Sequence, residues 1–213
     1  MKHFMNPRGL QRLALTVGAA ALLSGAMTAC VPLLLGGAVG GGTLIATDRR
    51  TSGTQLEDEG IELRALSRLR SALGERSHIN LTSYNRQVLL TGEAPNAQDK
   101  QQIEQTVAGV ENVSTIVNDL AIMGNSTFTQ RSSDALVTGR VKATLVDTRD
   151  LSANAFKVVT ERGTTYLMGR VTQRESDRAT AVVRATPGVQ KVVRMLEIIS
   201  EQELARLLPA AKP

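Results

Sequence analysis

The sequence predicts an α+β protein built of two tandem αββαβ units, each a small three-stranded mixed sheet packed with two helices. Three observations lead to this prediction. The segment QVLLTGE, residues 87–93, recurs as TTYLMGR, residues 164–170. Apolar and polar residues alternate around both copies, which is typical of half-buried strands. Apolar residues at helical spacing precede and follow each alternating stretch.

The first unit opens with a predicted helix, because its leucines recur at helical spacing: Leu66, Leu69 and Leu73. Two alternating stretches around the polar turn YNRQ then predict a hairpin. Their apolar positions are Ile79, Leu81, Val88 and Leu90. Pro95-Asn96 is a helix-start signal, and helical spacing continues through Ile103, Val107 and Val110. The apolar run ENVSTIVNDLAI predicts the last strand of this unit.

The second unit repeats that order. Its first helix is predicted from Val137, Val141 and Leu145, and its hairpin turns at the segment ERG. The alternating positions are Phe156, Val158, Thr165 and Leu167. Thr172 and Glu175 form a capping-box pattern before the next helical run, which contains Ala179, Val182 and Val183. The run QKVVRMLEII predicts the final strand.

Four glycines occupy equivalent places in the two units: Gly92 and Gly169 near the end of the hairpin, and Gly109 and Gly188 after the second helix. We interpret them as structural turn residues, since glycine permits a positive φ or a close approach of backbone. The repeat sets the predicted boundaries, with units at 57–124 and 133–200, a linker at 125–132 and a tail at 201–213. Each unit is marginal in size for independent stability, so we expect the two to pack together. Unlike charge is expected to assist, because residues 57–123 carry ten acidic and six basic side chains, whereas residues 131–200 carry seven and twelve.

The N-terminus has the features of an export signal. Lys2, Arg8 and Arg12 precede an uncharged apolar run, Leu13 to Leu23, that suits a signal peptide and is too short to span a bilayer. The segment Met27-Thr28-Ala29-Cys30 that follows resembles a bacterial lipobox. The sequence therefore predicts a signal peptide at 1–29, a lipid-bearing Cys30, and a glycine-rich tether at 30–56.

Cys30 is the one cysteine of the 213 residues, and it has two alternative interpretations. One is a secreted protein with a stray thiol, and the other is an uncleaved N-terminal anchor helix. The lipobox explains the thiol better, because an odd cysteine in an exported chain otherwise has no role. Val31 follows the cysteine in place of an aspartate, and this favours the outer membrane, with the protein facing the periplasm.

Catalytic chemistry is not expected. His3 would leave with the signal peptide, and His78 stands alone at the start of a predicted strand. No spacing of cysteine and histidine indicates zinc, and no phosphate-loop or nucleophile-elbow motif is present. The acidic run Glu57-Asp58-Glu59 is interpreted as solvated side chains at a helix N-terminus. We therefore expect no enzyme, no cofactor and no metal, and we expect no nucleic acid as a partner because the compartment is extracytoplasmic and aromatic residues are scarce.

The order of strand, glycine, amphipathic helix, Gly-Val and strand resembles the BON domain, and the resemblance covers nearly all of residues 57–200 in two copies. It rests on segments such as Val88-Leu89-Leu90-Thr91-Gly92 and Tyr166-Leu167-Met168-Gly169. Together with the lipobox, the chain resembles outer-membrane lipoproteins with two BON domains, which are associated with envelope integrity and cell division. The resemblance implies phospholipid as a ligand.

The helix that opens the second unit, SSDALVTGRVKATL, is the predicted lipid-binding surface. Leu136 lies about 100° around the helix from Val137, so it projects away from the predicted core. Arg140 and Lys142 flank it and Arg131 lies upstream, an arrangement suited to apolar insertion beside headgroup contacts. The alternative is that Leu136 packs against the first unit and that the cations are ordinary solvated residues. The predicted helix itself carries no aromatic residue.

Three functional hypotheses follow. The leading one is a non-enzymatic outer-membrane lipoprotein whose second unit binds anionic phospholipid and supports envelope integrity. The second is an adaptor whose acidic first unit docks an outer-membrane assembly or envelope protein. A cell-wall hydrolase is a third hypothesis, and it rests on the compartment alone.

Overall fold

The computed structural model of the chain describes residues 48–74 and 77–207. Cys30, the predicted signal peptide and most of the predicted tether lie outside this part of the chain. No helix among the described residues is long and apolar enough to cross a bilayer.

The secondary structure follows the predicted order twice. The first unit contains α1 (Ser52–Leu73), β1 (His78–Tyr84), β2 (Gln87–Ala94), α2 (Ala97–Ala108), β3 (Thr115–Asn118) and β4 (Ala121–Ile122). The second contains α3 (Phe128–Asp147), a 3-10 turn (Ala153–Ala155), β5 (Phe156–Glu161), β6 (Thr164–Val171), α4 (Gln173–Arg184) and β7 (Lys191–Ile198), and α5 (Glu201–Leu207) follows it.

Each unit has a mixed sheet in which a hairpin is joined by a parallel strand. β1 pairs with β2 and β5 with β6 in antiparallel register, while β3 and β7 run parallel to β2 and β6. The second sheet is three-stranded, as predicted, whereas the first has a fourth described strand, β4, which also runs parallel to β2. The break between β3 and β4 falls at Asp119-Leu120, where the Leu120 side chain is buried in the core of the first unit.

Helices cover one face of each sheet and form a separate apolar core there. Ile61 and Leu69 of α1 pack with Val88 and Leu90 of β2 in the first unit. In the second unit, Val141 and Leu145 of α3 pack with Leu167 and other strand residues. The capping box Thr172–Glu175 and the N-cap Asn96 are both confirmed, so local signals position the second helix of each unit.

The two sheets meet through the faces that carry no helix. Tyr84 and Leu89 of the first sheet form one buried cluster with Tyr166, Met168 and Met195 of the second. Successive side chains of a strand point to opposite faces, so β2 and β6 are buried on both sides. The result is four layers, in the order helix, sheet, sheet, helix, with a third core between the units.

Ion pairs of unlike charge border this central core. Arg162 Nη1 lies 3.0 Å from Glu93 Oε1, and Lys157 Nζ lies 3.0 Å from Glu62 Oε1. In both pairs the carboxylate belongs to the first unit and the cation to the second. The Tyr166 hydroxyl donates a further hydrogen bond across the interface to the Asp119 carboxylate.

The interpretation of Glu57-Asp58-Glu59 as solvated charge is wrong for Asp58. Helix α1 begins at Ser52, ahead of that run, and Asp58 is 2% exposed. Its carboxylate accepts hydrogen bonds from Ser83 Oγ and from the backbone N–H groups of Asn85 and Arg86. Asp58 therefore holds the β1–β2 turn, whose central residues have positive φ.

The hairpin glycines lie where a side chain has no room. A Cβ added at Gly92, where φ is +109°, would lie 2.0 Å from the carbonyl oxygen of His78. At Gly169 it would lie 2.4 Å from the carbonyl oxygen of Ala155. Both glycines thus allow the neighbouring backbone to approach closely. Gly188 also has a positive φ and contacts α3, whereas Gly109 has an ordinary helical φ at the end of α2.

Candidate membrane-binding site

The helix α3 starts earlier than the periodicity of its apolar residues indicates. Thr127 and Gln130 form a complete capping box, so the helix begins at Phe128, within the predicted linker. Val137, Val141 and Leu145 are buried against the second sheet, as predicted. The opposite side of α3 faces solvent.

Leu136 lies on the solvent side of α3 and is 63% exposed, so it does not pack against the first unit. Two further large apolar residues of α3 are still more exposed, Phe128 at 79% and Val146 at 69%. At about 100° per residue, these three lie within about 80° of one another around the helix. Gly139 and Ala143 lie within the same sector, as does the half-buried Ser132. We call the apolar members of this sector the α3 stripe: Phe128, Leu136, Gly139, Ala143 and Val146.

Cations border the α3 stripe on both sides. On the helical projection Arg140 lies about 40° beyond Leu136 on one side, and Lys142 lies about 40° beyond Val146 on the other. Arg131 lies on the Lys142 side, about 16 Å away along the axis at 1.5 Å per residue. None of the three cations forms an ion pair within the described part of the chain. Their charge is therefore available to an external partner.

Two apolar residues of the α3 stripe, Phe128 and Val146, are not among the predicted lipid-contact residues. The predicted linker contains Phe128, because the apolar periodicity of α3 begins only at Val137. The Thr127–Gln130 capping box is the sequence signal that indicates the earlier start. Val146 follows the last core residue, Leu145, and nothing in its spacing separates it from that core. With Phe128 at its start, α3 does carry an aromatic residue.

Two concavities lie at the ends of α3. The first, of about 450 Å³, is lined by Lys142 and Val146 together with Asp48, Arg50 and Phe156. The second, of about 290 Å³, is lined by residues of both units, listed as Leu66, Leu69, Arg70, Gly74, Ser77, His78, Ile79, Asn125 and Arg131. Lys142 and Arg131, which the sequence grouped together, therefore lie at opposite ends of the exposed face.

The described part of the chain begins beside the first of these concavities. Asp48, the first described residue, lines that cleft next to Lys142 and Val146. Arg50 then pairs with Asp58 at 2.8 Å and stacks on Tyr84 with its guanidinium carbon 4.2 Å from the ring centroid. The entry point is thus fixed close to the C-terminal end of the α3 stripe.

One group of side chains has the composition of a metal site but not the chemistry. Ligand atoms of His78, Glu93 and Glu161 lie within 4.8 Å of one another. The Glu93 carboxylate is already occupied, since it accepts from Arg162 Nη1 and from the backbone N–H of Ser126. Burial opposes its ionisation, but these bonds and that to His78 hold the pKa of Glu93 below its ordinary value. The arginine supplies the positive charge that a metal ion would supply, so this donor set does not suit a cation.

The comparisons with known proteins agree with this architecture. The family model for the BON domain matches residues 58–124 and 133–200. The chain is 32% identical over 192 residues to "Outer membrane lipoprotein DolP" of Haemophilus influenzae, covering 89% of this chain and 97% of that protein. It is also 32% identical over 154 residues to "21 kDa hemolysin" of Actinobacillus pleuropneumoniae, covering 71% and 79% of the two chains.

Among solved structures, CdsD, a structural protein of the type III secretion system of Chlamydia trachomatis, matches with a TM-score of 0.29 and 13% identity, over 70% of this chain and 99% of that one. The two family matches lie on the two αββαβ units, and the Haemophilus lipoprotein aligns along nearly the whole length of the chain. The chain therefore belongs to the BON-domain family, as a member with two such domains.

Proposed function

We propose that the protein is a non-enzymatic outer-membrane lipoprotein, anchored through Cys30 and facing the periplasm, which binds anionic phospholipid through α3 and supports envelope integrity. The single observation that carries the lipid role is the α3 stripe. It is an apolar helix face left uncovered by either unit, and the cations that border it form no ion pair with the residues that the structure describes.

The energetics of such a face suit a lipid surface better than water. Burying a large apolar side chain is worth about 1.5–3 kcal/mol, and each cation near an anionic membrane contributes about 1 kcal/mol. Amphipathic helices with this pattern lie in the plane of the interface. Phe128, at the N-terminal end of the stripe, adds an aromatic ring of the kind that is favoured at the headgroup level.

The lipid anchor supports the same role. The Haemophilus relative is named an outer-membrane lipoprotein, and the lipobox of this chain provides the corresponding attachment at Cys30. A tether that enters beside Val146 holds the α3 stripe near the bilayer at high effective concentration. A weak contact by α3 is then sufficient, and the protein concentrates where anionic lipid is enriched, which includes the division site if such lipid gathers there.

Co-sedimentation of residues 48–213 with lipid vesicles tests the proposal. We expect binding to phosphatidylglycerol or cardiolipin vesicles that weakens with salt, and little binding to phosphatidylcholine. Leu136→Asp should weaken binding about tenfold or more, since the lost burial exceeds 1.4 kcal/mol. Leu63→Asp is the matched control, because Leu63 is 71% exposed on α1, away from the stripe. Equal, weak binding to neutral and anionic vesicles at low salt would overturn the proposal.

A protein-docking role is a second candidate, and a specific feature of the first unit favours it. Leu56 and Leu63 of α1 are each 71% exposed and lie about two turns apart on one side of the helix. They belong to the acidic unit, so a basic envelope protein would be the complementary partner. Cross-linking in intact cells through the thiol that Leu63→Cys introduces tests this role. In these cells Cys30 is in its lipidated form. A dominant protein adduct together with unchanged vesicle binding by Leu136→Asp would favour the adaptor over the lipid role.

A further inference from the structure

The pocket at the N-terminal end of α3 has the composition of a site for an anion. Its lining combines Arg70 of α1, His78 of β1 and Arg131 of α3 with the polar residues Ser77 and Asn125. We propose that this pocket, built jointly by the two BON domains, binds a phosphate ester. The proposal does not rest on the membrane role of the α3 stripe.

The first argument is uncompensated charge. Arg70 and Arg131 form no ion pair with any described residue, and no carboxylate is among the described residues that line the pocket. Glu93, which contacts His78, has its charge balanced by Arg162. Both arginines line one pocket and are exposed, so their charges attract an anion to it. Guanidinium groups also match the geometry of phosphate oxygens.

The second argument is a buried hydroxyl without a partner. Ser77 Oγ is inaccessible to solvent and makes no hydrogen bond within the described part of the chain. An unsatisfied buried polar group costs about 1–3 kcal/mol. Because Ser77 lines the pocket, rotation of its side chain toward a bound phosphate would let the hydroxyl donate a hydrogen bond and remove that cost.

The third argument is the orientation of His78. Its Nδ1 lies 3.0 Å from Glu93 Oε2 and 3.5 Å from Ser126 Oγ, so the ring is held from that side. A carboxylate on Nδ1 favours a proton on that nitrogen. Nε2 is then the nitrogen without a described partner, so it is available to a polar group of the ligand.

The size and the apolar lining of the pocket indicate the class of ligand. Leu66, Leu69 and Ile79 supply apolar surface, so the ligand carries a small organic group besides its phosphate. The volume of about 290 Å³ is at the lower limit of typical small-molecule sites. It suits a headgroup-sized ester such as glycerol phosphate and leaves no room for two acyl chains. A free ester and the headgroup of a bilayer lipid share this chemistry.

Titration of the full lipidated chain in phosphatidylcholine nanodiscs tests the site. The probes are inorganic phosphate, glycerol 3-phosphate and, as a neutral control, glycerol. We expect glycerol 3-phosphate to bind, glycerol not to bind, and inorganic phosphate to bind more weakly because it lacks the organic group. Arg70→Gln and Arg131→Gln should each weaken binding about tenfold, the loss of one charge-assisted hydrogen bond.

Arg184→Gln is the matched control, because Arg184 is an exposed arginine on α4 remote in sequence from the pocket residues, and its loss should leave affinity unchanged. Equal losses in all three variants would overturn the proposal, as would the absence of glycerol 3-phosphate binding at concentrations up to about 10 mM.

Nanodiscs that contain phosphatidylglycerol identify the source. If Arg70→Gln weakens both glycerol 3-phosphate binding and docking on these nanodiscs, the pocket takes a lipid headgroup. If it weakens only the former, the pocket takes a free ester. Both results support the site. Leu136→Asp, which lies outside the pocket, tests the membrane face separately, so failure of one proposal is distinguishable from failure of the other.

Discussion

Arg49 and Glu175 form a two-point ion pair, with both nitrogen–oxygen distances at 2.7 Å and both side chains 4% exposed. The arginine precedes the first BON domain, and the glutamate belongs to the capping box of α4 in the second. Arg49 also donates to the carbonyl oxygen of Arg170, and Arg170 donates in return to that of Arg49. The residues just before α1 are therefore fastened to the second BON domain before the chain enters the first.

Loss of Arg49 should destabilise the protein strongly. Arg49→Ala leaves Glu175 buried without its charge partner, and breaking such a pair costs about 3–5 kcal/mol. Chemical denaturation monitored by circular dichroism measures the change in the free energy of unfolding. Arg174→Ala is the control, because Arg174 is 57% exposed and lies 3.8 Å from Glu201, so it should cost less than about 1 kcal/mol. Similar losses of unfolding free energy in the two variants would show that the Arg49–Glu175 ion pair contributes little to stability.

Acid should unfold the protein by protonating two buried carboxylates, those of Glu175 and Glu93. Burial disfavours ionised Glu175, but the Arg49 guanidinium and the Thr172 backbone N–H hold the pKa of Glu175 below its ordinary value of 4.5, and the pKa of Glu93 is lowered as well. A lowered folded-state pKa stabilises the fold above pH 4.5, and this contribution is lost as the pH falls through the folded-state value.

Melting temperatures measured from pH 7 to pH 3 test this dependence. We expect little change down to about pH 5 and a steep fall below pH 4.5. Glu175→Gln should melt lower at pH 7 and show a shallower acid fall, because one of the responsible groups is gone. Glu59→Gln, at an exposed position, should keep the full slope. An unchanged slope in Glu175→Gln would contradict the assignment.

The periodic and local features of the fold were predictable from the sequence. Strand alternation, the spacing of Val137, Val141 and Leu145, and the capping box at Thr172 and Glu175 each depend on residues within a few positions of one another. The internal repeat then showed that the pattern occurs twice. These signals sufficed for the order of elements and for the outward direction of Leu136.

Contacts between distant residues were not predictable in the same way. Asp58 resembles its solvated neighbours in the sequence, and only the folded turn at Asn85 and Arg86 shows what its carboxylate binds. The burial of both sheet faces did leave a signal, since Val88-Leu89-Leu90 and Tyr166-Leu167-Met168 are continuous apolar runs that are typical of strands covered on both sides. The pocket that Arg70 and Arg131 share has no local signature at all.

The anchor is testable without reference to the fold. Cys30→Ser should abolish lipidation, leave the product in the soluble periplasmic fraction or unprocessed, and leave both domains folded. Metabolic labelling with a fatty acid and membrane fractionation measure the two effects. Mass spectrometry of the wild-type protein should find the modified cysteine at the N-terminus. A Cys30→Ser chain that is not acylated yet stays membrane-bound through residues 1–29 would mean that the segment is an uncleaved anchor helix and that the lipobox interpretation is wrong.

Two glycine substitutions should have opposite effects on stability. Gly92→Ala places a Cβ 2.0 Å from the carbonyl oxygen of His78 at a φ of +109°, so β1 and β2 must separate or the backbone must change its conformation. We expect a loss of several kcal/mol, at the upper end of single substitutions. Gly139→Ala meets no atom within 4 Å on the exposed face of α3, and it should stabilise the helix by about 0.5–1 kcal/mol. Urea unfolding of both variants measures the difference. Gly139→Ala also keeps the α3 stripe apolar, so this variant should bind anionic vesicles at least as well as the wild type. A loss of vesicle binding would indicate that the close approach of a partner to Gly139 matters more than the apolar face around it.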